Sequence, residues 1–314
     1  MTTGIVPFAA AHAGDAADMV AARYRDEREA NPLVSGAYCA GAAIEPRLRA
    51  LLPRSRGGAA VRDGRLLGFL VGMPITWRGF PTAYVPVYGH GADRNEAYAL
   101  YRSMYAEAAR LWVDDGRPDH LLTAFATDTP AFDACVSLRY CAVGTDALRG
   151  MDGTAAAPAM DIRRATPADT DLVIPWEGAL RAHLAASPTF LPCDPAEPTR
   201  LDEAWLSDQS RALWLASHAG EPCAFLCMEG NHGQVLPTKG EDVASITGAY
   251  TVPESRGSGA GSALLNHALG WAREAGYTRC AVDFETANLP GSAFWLSKGF
   301  RPVTRSLYRH THDA

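Results

Sequence analysis

The chain has 314 residues, an apolar content of 47% and a net charge of −6 at pH 7. The length corresponds to about two globular domains, and the acidic balance gives no electrostatic support for nucleic-acid binding. No segment approaches the roughly 20 apolar residues of a membrane span, and we expect no signal peptide because no basic region precedes an apolar stretch.

Strand and helix patterns alternate through the first half of the chain, up to a stretch rich in glycine and alanine at residues 149–158. Asp63-Gly64, a dipeptide typical of two-residue hairpin turns, predicts that two strands meet there. Periodicity predicts further strands at Gly4–Phe8, Ala83–Tyr88, His120–Ala126 and from Cys141, and helices at His12–Ala30, Pro46–Leu52, Ala97–Asp114 and Phe132–Leu138.

The second half shows the same alternation. Periodicity predicts strands at Asp161, Ala212–Ser217, Pro222–Glu229, Ala244–Val252, Cys280–Thr286 and Arg301–His310, and helices from Asp169 and at Gly259–Ala275 and Gly291–Lys298. Strands separated by helices indicate a mixed α/β sheet.

The two halves have the same order of elements, which predicts two related domains, 1–150 and 158–314. At an offset of 160 residues Pro130 corresponds to Pro290 and Tyr140 to Phe300. The small and chain-breaking residues of 149–158 are typical of a linker.

A glycine-rich segment, Arg256-x-x-Gly259-x-Gly261, joins a predicted strand to a predicted helix. Glycine lets the backbone approach a ligand closely, and the free N–H groups at a helix start favour phosphate. The spacing differs from the G-x-G-x-x-G of dinucleotide-binding turns, and no Gly-Lys-Ser/Thr of a Walker loop is present. The segment therefore predicts a pyrophosphate-binding turn of another type.

This segment resembles the Q/R-x-x-G-x-G/A signature of the GNAT acetyltransferase superfamily, and two further segments match the family in order. Asn288 followed by the aromatic segment Gly291–Phe300 resembles the second signature, and Asp161–Asp169 resembles the first strand and helix start. The resemblance covers about residues 160–314. It implies an α/β fold with mixed sheets in two tandem GNAT-like domains, an architecture similar to that of mycothiol synthase.

The resemblance also implies how acetyl-CoA would bind as cosubstrate. The backbone of Tyr250, Thr251 and Val252 is expected to receive the pantetheine arm and to donate an N–H to the developing oxyanion. Asn288 is expected to bond the pantetheine amides while also capping a helix, and Trp295 to pack against the arm. The residues expected around the pyrophosphate are Arg256, Gly257, Ser258, Gly259, Ala260, Gly261 and Ser262.

The attacking amine must be neutral, so the reaction needs a base, acting directly or through water. Asp283 and Glu285 stand two residues apart on a predicted strand and therefore share one face. One is a candidate base, or the pair binds a cationic substrate; the alternative is a solvated or ion-paired role. His183 is a second candidate base.

The proton donor to the leaving group is where this chain departs from the family. Trp295 occupies the position at which many members carry a tyrosine. Tyr308 and Tyr250 are candidate replacements, with ordinary packing as the alternative. A thiol pKa of about 8.5 also lets the thiolate leave without full protonation.

The first domain is expected to be degenerate for acetyl-CoA. Its nearest match to the signature is Arg94-x-x-Ala97-x-Ala99, where each alanine adds a methyl group at a position of close phosphate approach. Asp128 replaces the asparagine, and a carboxylate beside a pyrophosphate is unfavourable.

The sequence thus predicts an acyl-CoA-dependent N-acetyltransferase acting on a primary amine of a small molecule, as a monomer or homodimer. Protein amines remain possible acceptors, and the alternative function is a catalytically silent acyl-CoA-binding sensor or scaffold. Seven cysteines without a C-x-x-C pair indicate reduced thiols and a cytoplasmic location. No metal is expected, although His310 and His312 lie close together near the end of the chain.

Overall fold

The computed structural model of the chain describes residues 3–152, 159–192, 199–230, 233 and 235–311. The chain divides into two compact units. Unit 1 comprises Met1–Thr145, Val235–Pro237 and Pro302–Ala314, and unit 2 comprises Asp146–Gln234 and Thr238–Arg301. Compared with the predicted ranges 1–150 and 158–314, the main difference is that the last strand belongs to unit 1.

The elements are numbered in chain order. Those up to residue 150 are β1 (Gly4–Pro7), α1 (Ala13–Ala30), α2 (Gly41–Leu51), β2 (Arg56–Arg62), β3 (Arg65–Trp77), β4 (Phe80–Val85), β5 (His90–Ala92), α3 (Ala97–Asp114), β6 (Asp119–Phe125), α4 (Thr129–Ser137) and β7 (Cys141–Gly150). Those after it are β8 (Asp161–Arg164), α5 (Thr170–Ala185), α6 (Glu203–Ser207), β9 (Arg211–His218), β10 (Glu221–Gly230), β11 (Val243–Thr251), α7 (Ala260–Glu274), β12 (Arg279–Glu285), α8 (Leu289–Ser297) and β13 (Arg301–His310).

The sheet of unit 1 has the strand order β1-β2-β3-β4-β6-β13, with β5 paired to β3. β4 and β6 are parallel, and β13 runs antiparallel to β6 from Thr304 to His310. Leu307 of β13 is fully buried in a core that also contains Met104 of α3 and Leu122 of β6. The final strand is therefore an integral part of the first unit.

The sheet of unit 2 has the order β7-β12-β11-β10-β9-β8, in which β7 contributes the residues from Asp146 onward. β11 and β12 are parallel, whereas β11, β10, β9 and β8 pair antiparallel. One face packs on α7 and α8 through residues such as Leu226 and Leu264. The other face packs on α5 and α6 through residues such as Phe225 and Val173.

The predicted alternation of strands and helices, and the mixed sheets, are confirmed. Asp63-Gly64 forms the predicted turn between β2 and β3, with φ angles of 52° and 79°. The predicted strand Ala83–Tyr88 instead ends at Val85, the last residue of β4, and residues 86–89 form a turn before β5. Pro86 lies at the break, where its lack of an N–H interrupts strand pairing.

The 160-residue repeat is visible in α4 and α8. Asp128 and Asn288 occupy the N-cap of these helices, and their side chains accept hydrogen bonds from Ala131 N and Gly291 N. Each helix is followed at the same offset by a residue in the left-handed region, a position that glycine adopts without steric cost: Arg139 in unit 1 with φ of 66° and Gly299 in unit 2 with φ of 82°.

Candidate active site

β11 and β12 pair only along the first part of their length, which opens a gap between them. The parallel register runs from Val243 opposite Arg279 to Ile246 opposite Val282 and stops there. β11 continues to Thr251 paired with β10 alone. The edge of β11 that faces away from β10 is thus released from the ladder after Ile246.

A β-bulge lies at the point where the two strands part. Cys227 is opposite Gly248, but Met228 is opposite Ile246, so Thr247 is the extra residue of β11. Bulges of this kind redirect a strand and change which groups face each side. Thr247 therefore marks the vertex of the gap.

The hydrogen bonding of β11 fixes which backbone groups face the gap. Val252 N donates to Cys223 O at 2.9 Å, so this N–H is already used on the β10 side. Hydrogen-bonded and non-hydrogen-bonded residue pairs alternate along an antiparallel ladder. The N–H and C=O groups of Tyr250, two residues before Val252, therefore also face β10. The N–H and C=O groups of Ala249 and Thr251 point to the gap instead.

The glycine-rich turn follows directly. Gly257 and Gly259 have φ angles of 83° and 90°, which other residues adopt only with strain, and Gly259 is the N-cap of α7. A Cβ on Gly261 would stand 3.3 Å from the Phe294 ring, so this glycine allows α7 and α8 to pack closely. Gly257 and Gly259 are thus required by the backbone conformation, and Gly261 by the close packing of α7 and α8.

A pocket of about 430 Å³ in unit 2 connects the gap, the turn and the start of α8. Most of the residues predicted to bind the cofactor line it: Tyr250, Thr251, Arg256, Gly257, Gly259, Ala260, Gly261, Ser262, Asn288 and Trp295. Val252 and Ser258 are not among the lining residues. Arg256 Nε donates to Thr251 O at 3.3 Å, and its guanidinium lies 6.0 Å from the centre of the Tyr250 ring.

At the far end of the pocket α5 contributes a titratable group. His183 Nε2 lies 3.4 Å from Asn288 Oδ1, which also accepts from Gly291 N. Asn288 is therefore a helix cap whose side chain still faces the pocket. Trp295 is 8% exposed and packs edge-on against Phe294 and Phe300.

The two strand carboxylates occupy different surroundings. Asp283 is exposed and lines a small cleft with Ser245 and Thr247 at the vertex of the gap, on the face opposite α7 and α8. Glu285 is half-buried and lines neither this cleft nor the large pocket. Of the two, Asp283 is the carboxylate next to the vertex.

Tyr308 does not line the pocket. It lies on β13 in unit 1, where its hydroxyl donates to Asp119 and its ring lies 5.2 Å from Trp77. Burial and the Asp119 carboxylate raise the pKa of this phenol. The sequence pattern around Tyr308 cannot show that its strand joins the first unit, because strand pairing is non-local. Tyr250 is the tyrosine at the pocket.

Several lining residues were not predicted. They are apolar or backbone groups contributed by four elements: Leu180 of α5, Phe225 and Leu226 of β10, Ala249 of β11 and Phe294 of α8. Phe225 lies between Trp176, stacked at 6.4 Å, and Tyr250. A signal existed for Ala249, two residues before the predicted Thr251, through the period of two along a strand. Phe294 also had one, because it precedes Trp295 in the aromatic segment.

The corresponding region of unit 1 is partly occupied by a side chain. Arg23 of α1 donates to the carbonyls of His90 and Ala92, each at 3.2 Å, and its Nε lies 3.1 Å from Asp128 Oδ2. The space bordered by this arginine and Ala97 is about 130 Å³. The carboxylate of Asp128 thus pairs with an arginine of the same unit.

Other predictions concern metal, thiols and membranes. Within the described ranges, no group of three His, Cys, Asp or Glu residues is arranged to hold a metal ion, and His312 lies outside those ranges. Of the six cysteines that the structure describes, four are buried: Cys135, Cys223, Cys227 and Cys280. Cys193 lies outside the described residues. Over the same residues, every helix is too short or too polar to cross a bilayer.

Comparisons with known proteins agree with this geometry. Residues 179–300 match the model of the Acetyltransferase (GNAT) family. The chain is 31% identical over 153 residues to an aminoglycoside N(6')-acetyltransferase type 1 from Stenotrophomonas maltophilia, covering 48% of this chain and 93% of that protein. It is 31% identical over 129 residues to the enzyme of the same name from Klebsiella aerogenes, covering 41% and 77%.

Solved structures extend the likeness in fold to the whole chain. A GCN5-related N-acetyltransferase from Sphaerobacter thermophilus superposes with a TM-score of 0.61 at 13% identity, covering 99% of this chain and 96% of that one. A tandem GNAT protein from the clavulanic acid biosynthesis pathway covers all of both chains with a TM-score of 0.50 at 18% identity. The divided strands, the glycine turn and these relatives together identify the chain as an N-acetyltransferase of the GNAT family.

Proposed function

We propose that unit 2 transfers an acetyl group from acetyl-CoA to a primary amine of a small molecule by direct attack. The observation that carries the proposal is the gap between β11 and β12, whose free backbone edge leads into a glycine turn at the start of α7. The edge offers hydrogen bonds to an extended amide-containing arm, and the turn offers N–H groups to a pyrophosphate.

The residues of the turn have separate roles in this proposal. Gly257 and Gly259 present backbone N–H groups, and the partial positive charge of the α7 start favours an anion. Arg256 can add a charge-assisted contact. Ser262 lines the pocket in the first turn of α7, where its hydroxyl can donate.

The oxyanion donor is proposed to be the N–H of Ala249 or Thr251. Val252 N is bonded to Cys223 O, and Pro253 has no N–H. Preorganised backbone donors in a site shielded from water typically contribute most to stabilising the charge of acyl transfer. These two N–H groups are fixed in direction by the β10 ladder.

Proton transfer from the amine is assigned to Asp283, with His183 as the alternative. Asp283 stands at the vertex on the face opposite α7 and α8, so an amine approaching there meets a carboxylate. His183 lies inside the pocket and also reaches a reacting centre near Asn288. Glu285 is placed to add negative charge that attracts a cationic acceptor.

The leaving group is proposed to depart as a thiolate. The aromatic wall of Trp295 and Phe294 packs the arm that carries it. Tyr250, the tyrosine that lines the pocket among the described residues, is the candidate for later protonation.

The acceptor class is supported by the relatives. Both are named for acetylating aminoglycosides, which are small molecules with several amines. A cationic small molecule also suits the exposed carboxylate of Asp283. The alternative of a silent acyl-CoA-binding protein is favoured by the missing family tyrosine at Trp295 and by the degenerate first domain.

Titration calorimetry with acetyl-CoA tests the binding part of the proposal. We expect one acetyl-CoA per chain, because the Arg23–Asp128 ion pair leaves a space of only about 130 Å³ in the corresponding region of unit 1. Two equivalent sites, or none, would contradict it. Acetyl-CoA turnover with a panel of aminoglycosides and simple diamines then separates an enzyme from a silent binder, which would bind the cofactor without releasing free thiol.

A further inference from the structure

We propose that Arg200 is a positioning residue that holds the bulge of β11 and thereby orients the backbone edge facing the gap. The inference rests on the proposed function of that edge. Arg200 precedes α6 and is not among the residues that line the large pocket, so it acts through Thr247.

The first observation is a hydrogen bond to the extra residue of the bulge. Arg200 Nη2 donates to Thr247 O at 2.6 Å. Because Thr247 has no partner across the ladder, its carbonyl depends on this contact in place of a strand bond. The guanidinium is oriented by Glu229 of β10, whose Oε1 lies 3.5 Å from Nη1. The Thr247 bond is charge-assisted and is therefore stronger than a neutral one.

The second observation is how the backbone of Arg200 is fixed. Arg200 N and Leu201 N donate to Glu177 Oε2 at 3.0 and 3.3 Å, and the Thr199 hydroxyl donates to the same oxygen. Glu177 is 8% exposed on α5. The helix that carries His183 is therefore connected through Arg200 to the bulge of β11.

The third observation is the residue after Thr247. A Cβ on Gly248 would lie 3.3 Å from Arg200 Nη2 and 3.6 Å from Cys227 Sγ. Gly248 is not among the glycines with positive φ, so its backbone does not require glycine. The missing side chain instead leaves room for the guanidinium over the strand.

The bulge decides which N–H groups face the gap. A shift of register by one residue exchanges the groups that point to β10 with those that point away. Holding Thr247 out of the ladder therefore keeps Ala249 and Thr251 directed at the gap. Loss of the Arg200 contact is expected to let this edge fluctuate.

The test compares Arg200→Gln with Arg211→Gln. Arg211 is a matched control because it also pairs with Glu229, at 3.3 Å, and its side chain is 36% exposed against 39% for Arg200. Arg211 lies on β9, which β10 separates from β11. Arg200→Lys retains a charged donor and is the conservative variant, and Gly248→Ala displaces the guanidinium without removing it.

Two measurements are made on the full chain. Calorimetry should show acetyl-CoA binding at least tenfold weaker in Arg200→Gln, with partial recovery in Arg200→Lys and little change in Arg211→Gln. Hydrogen exchange of the amides of residues 247–252 in the free protein should be at least tenfold faster in Arg200→Gln and Gly248→Ala than in the control.

The outcomes separate the two proposals. Failure of the unaltered protein to bind acetyl-CoA overturns the proposed function, and the role of Arg200 in binding falls with it. Tight binding by both the unaltered protein and Arg200→Gln, with equal exchange in residues 247–252, overturns the inference alone. Equal effects in Arg200→Gln and Arg211→Gln assign the loss to Glu229 and likewise overturn it.

Discussion

Ser262, in the first turn of α7, offers a way to remove anion binding without harming the fold. We predict that Ser262→Asp weakens acetyl-CoA binding at least tenfold, because a carboxylate would face the proposed pyrophosphate. A negative charge at a helix start stabilises the helix by about 0.3–1 kcal/mol, so the thermal midpoint should hold or rise. Calorimetry and thermal unfolding measure the two effects.

Ser103→Asp is the matched control for this prediction. Ser103 is an exposed serine of α3, the corresponding long helix of unit 1. The change should leave acetyl-CoA binding unaltered. If Ser262→Asp binds as tightly as the unaltered protein, the pyrophosphate does not lie at the start of α7.

Asp283 is predicted to matter to the amine and not to the cofactor. Asp283→Asn should lower turnover by about a hundredfold or more at neutral pH, since loss of a catalytic base typically costs 10² to 10⁴ in rate. Turnover should recover in part at high pH, where more acceptor is neutral. Glu285→Gln, two residues along the same face, should have a smaller effect.

His183→Gln completes this comparison. If it produces the large loss while Asp283→Asn stays near the normal rate, the base lies inside the pocket. Acetyl-CoA affinity measured in each variant keeps a binding defect apart from a catalytic one.

The buried imidazole of His90 is expected to make the stability of unit 1 depend on pH. Its ring is fully buried, with Nε2 donating to Thr123 O at 3.0 Å and Nδ1 accepting from Tyr101 at 2.8 Å. Burial, followed by the nearby Arg23 charge, lowers its pKa to about 4. The unfolded chain takes up this proton below about pH 6.5 and the folded chain does not, so stability falls as pH decreases from 6.5 toward 4.

We predict a loss of about 2 kcal/mol in unfolding free energy from His90 between pH 7 and pH 5. Urea unfolding at both pH values measures it. His90→Gln can still donate to Thr123 O and should show a smaller decrease between the two pH values, although it is less stable at pH 7. An unchanged decrease would mean that other groups titrate.

At the scale of elements, local signals predicted most of the fold. The turn at Asp63-Gly64 and the helix Ala97–Asp114 follow from residues that are neighbours in sequence. The glycine turn was equally readable because phosphate binding at a helix start needs those residues together. The bulge at Thr247 was not, because it depends on register between β10 and β11.

The parts of the site that depend on neighbouring residues could also be predicted, and those that depend on distant strands could not. Backbone exposure at Thr251 follows from the family pattern, whereas the engagement of Val252 N by Cys223 requires the position of β10. The pairing of Arg23 with Asp128 in unit 1 could not be predicted from the sequence either, since the two residues are about a hundred residues apart. Both features depend on contacts between segments that are far apart in sequence, which local sequence patterns do not show.

β13 is expected to stabilise unit 1, whose core contains its Leu307. We expect that ending the chain after Arg301 unfolds or loosens unit 1, because Leu307 leaves the core and Asp119 loses its Tyr308 and His310 partners. Hydrogen exchange of β6 should rise steeply, while α7 changes less. Unchanged protection in β6 would show that β13 is dispensable.

At the scale of the whole molecule, the two units are not two successive lengths of chain. A fragment of residues 158–314 would carry β13 without its partner β6 and would lack the part of β7 that flanks β12. Activity lost in such a fragment would therefore say nothing about a catalytic role of unit 1. Point changes in the full chain are the appropriate tests.

The place of β13 has a consequence for biosynthesis. β6 is made early, yet the strand that covers one of its edges is made only after β7 to β12. Until then a strand whose residues are all buried in the finished protein has an unpaired edge, which is a site for pairing with another chain. Slow translation or truncated messages should thus favour aggregation of the amino-terminal half, because unit 1 is complete only once β13 has been made.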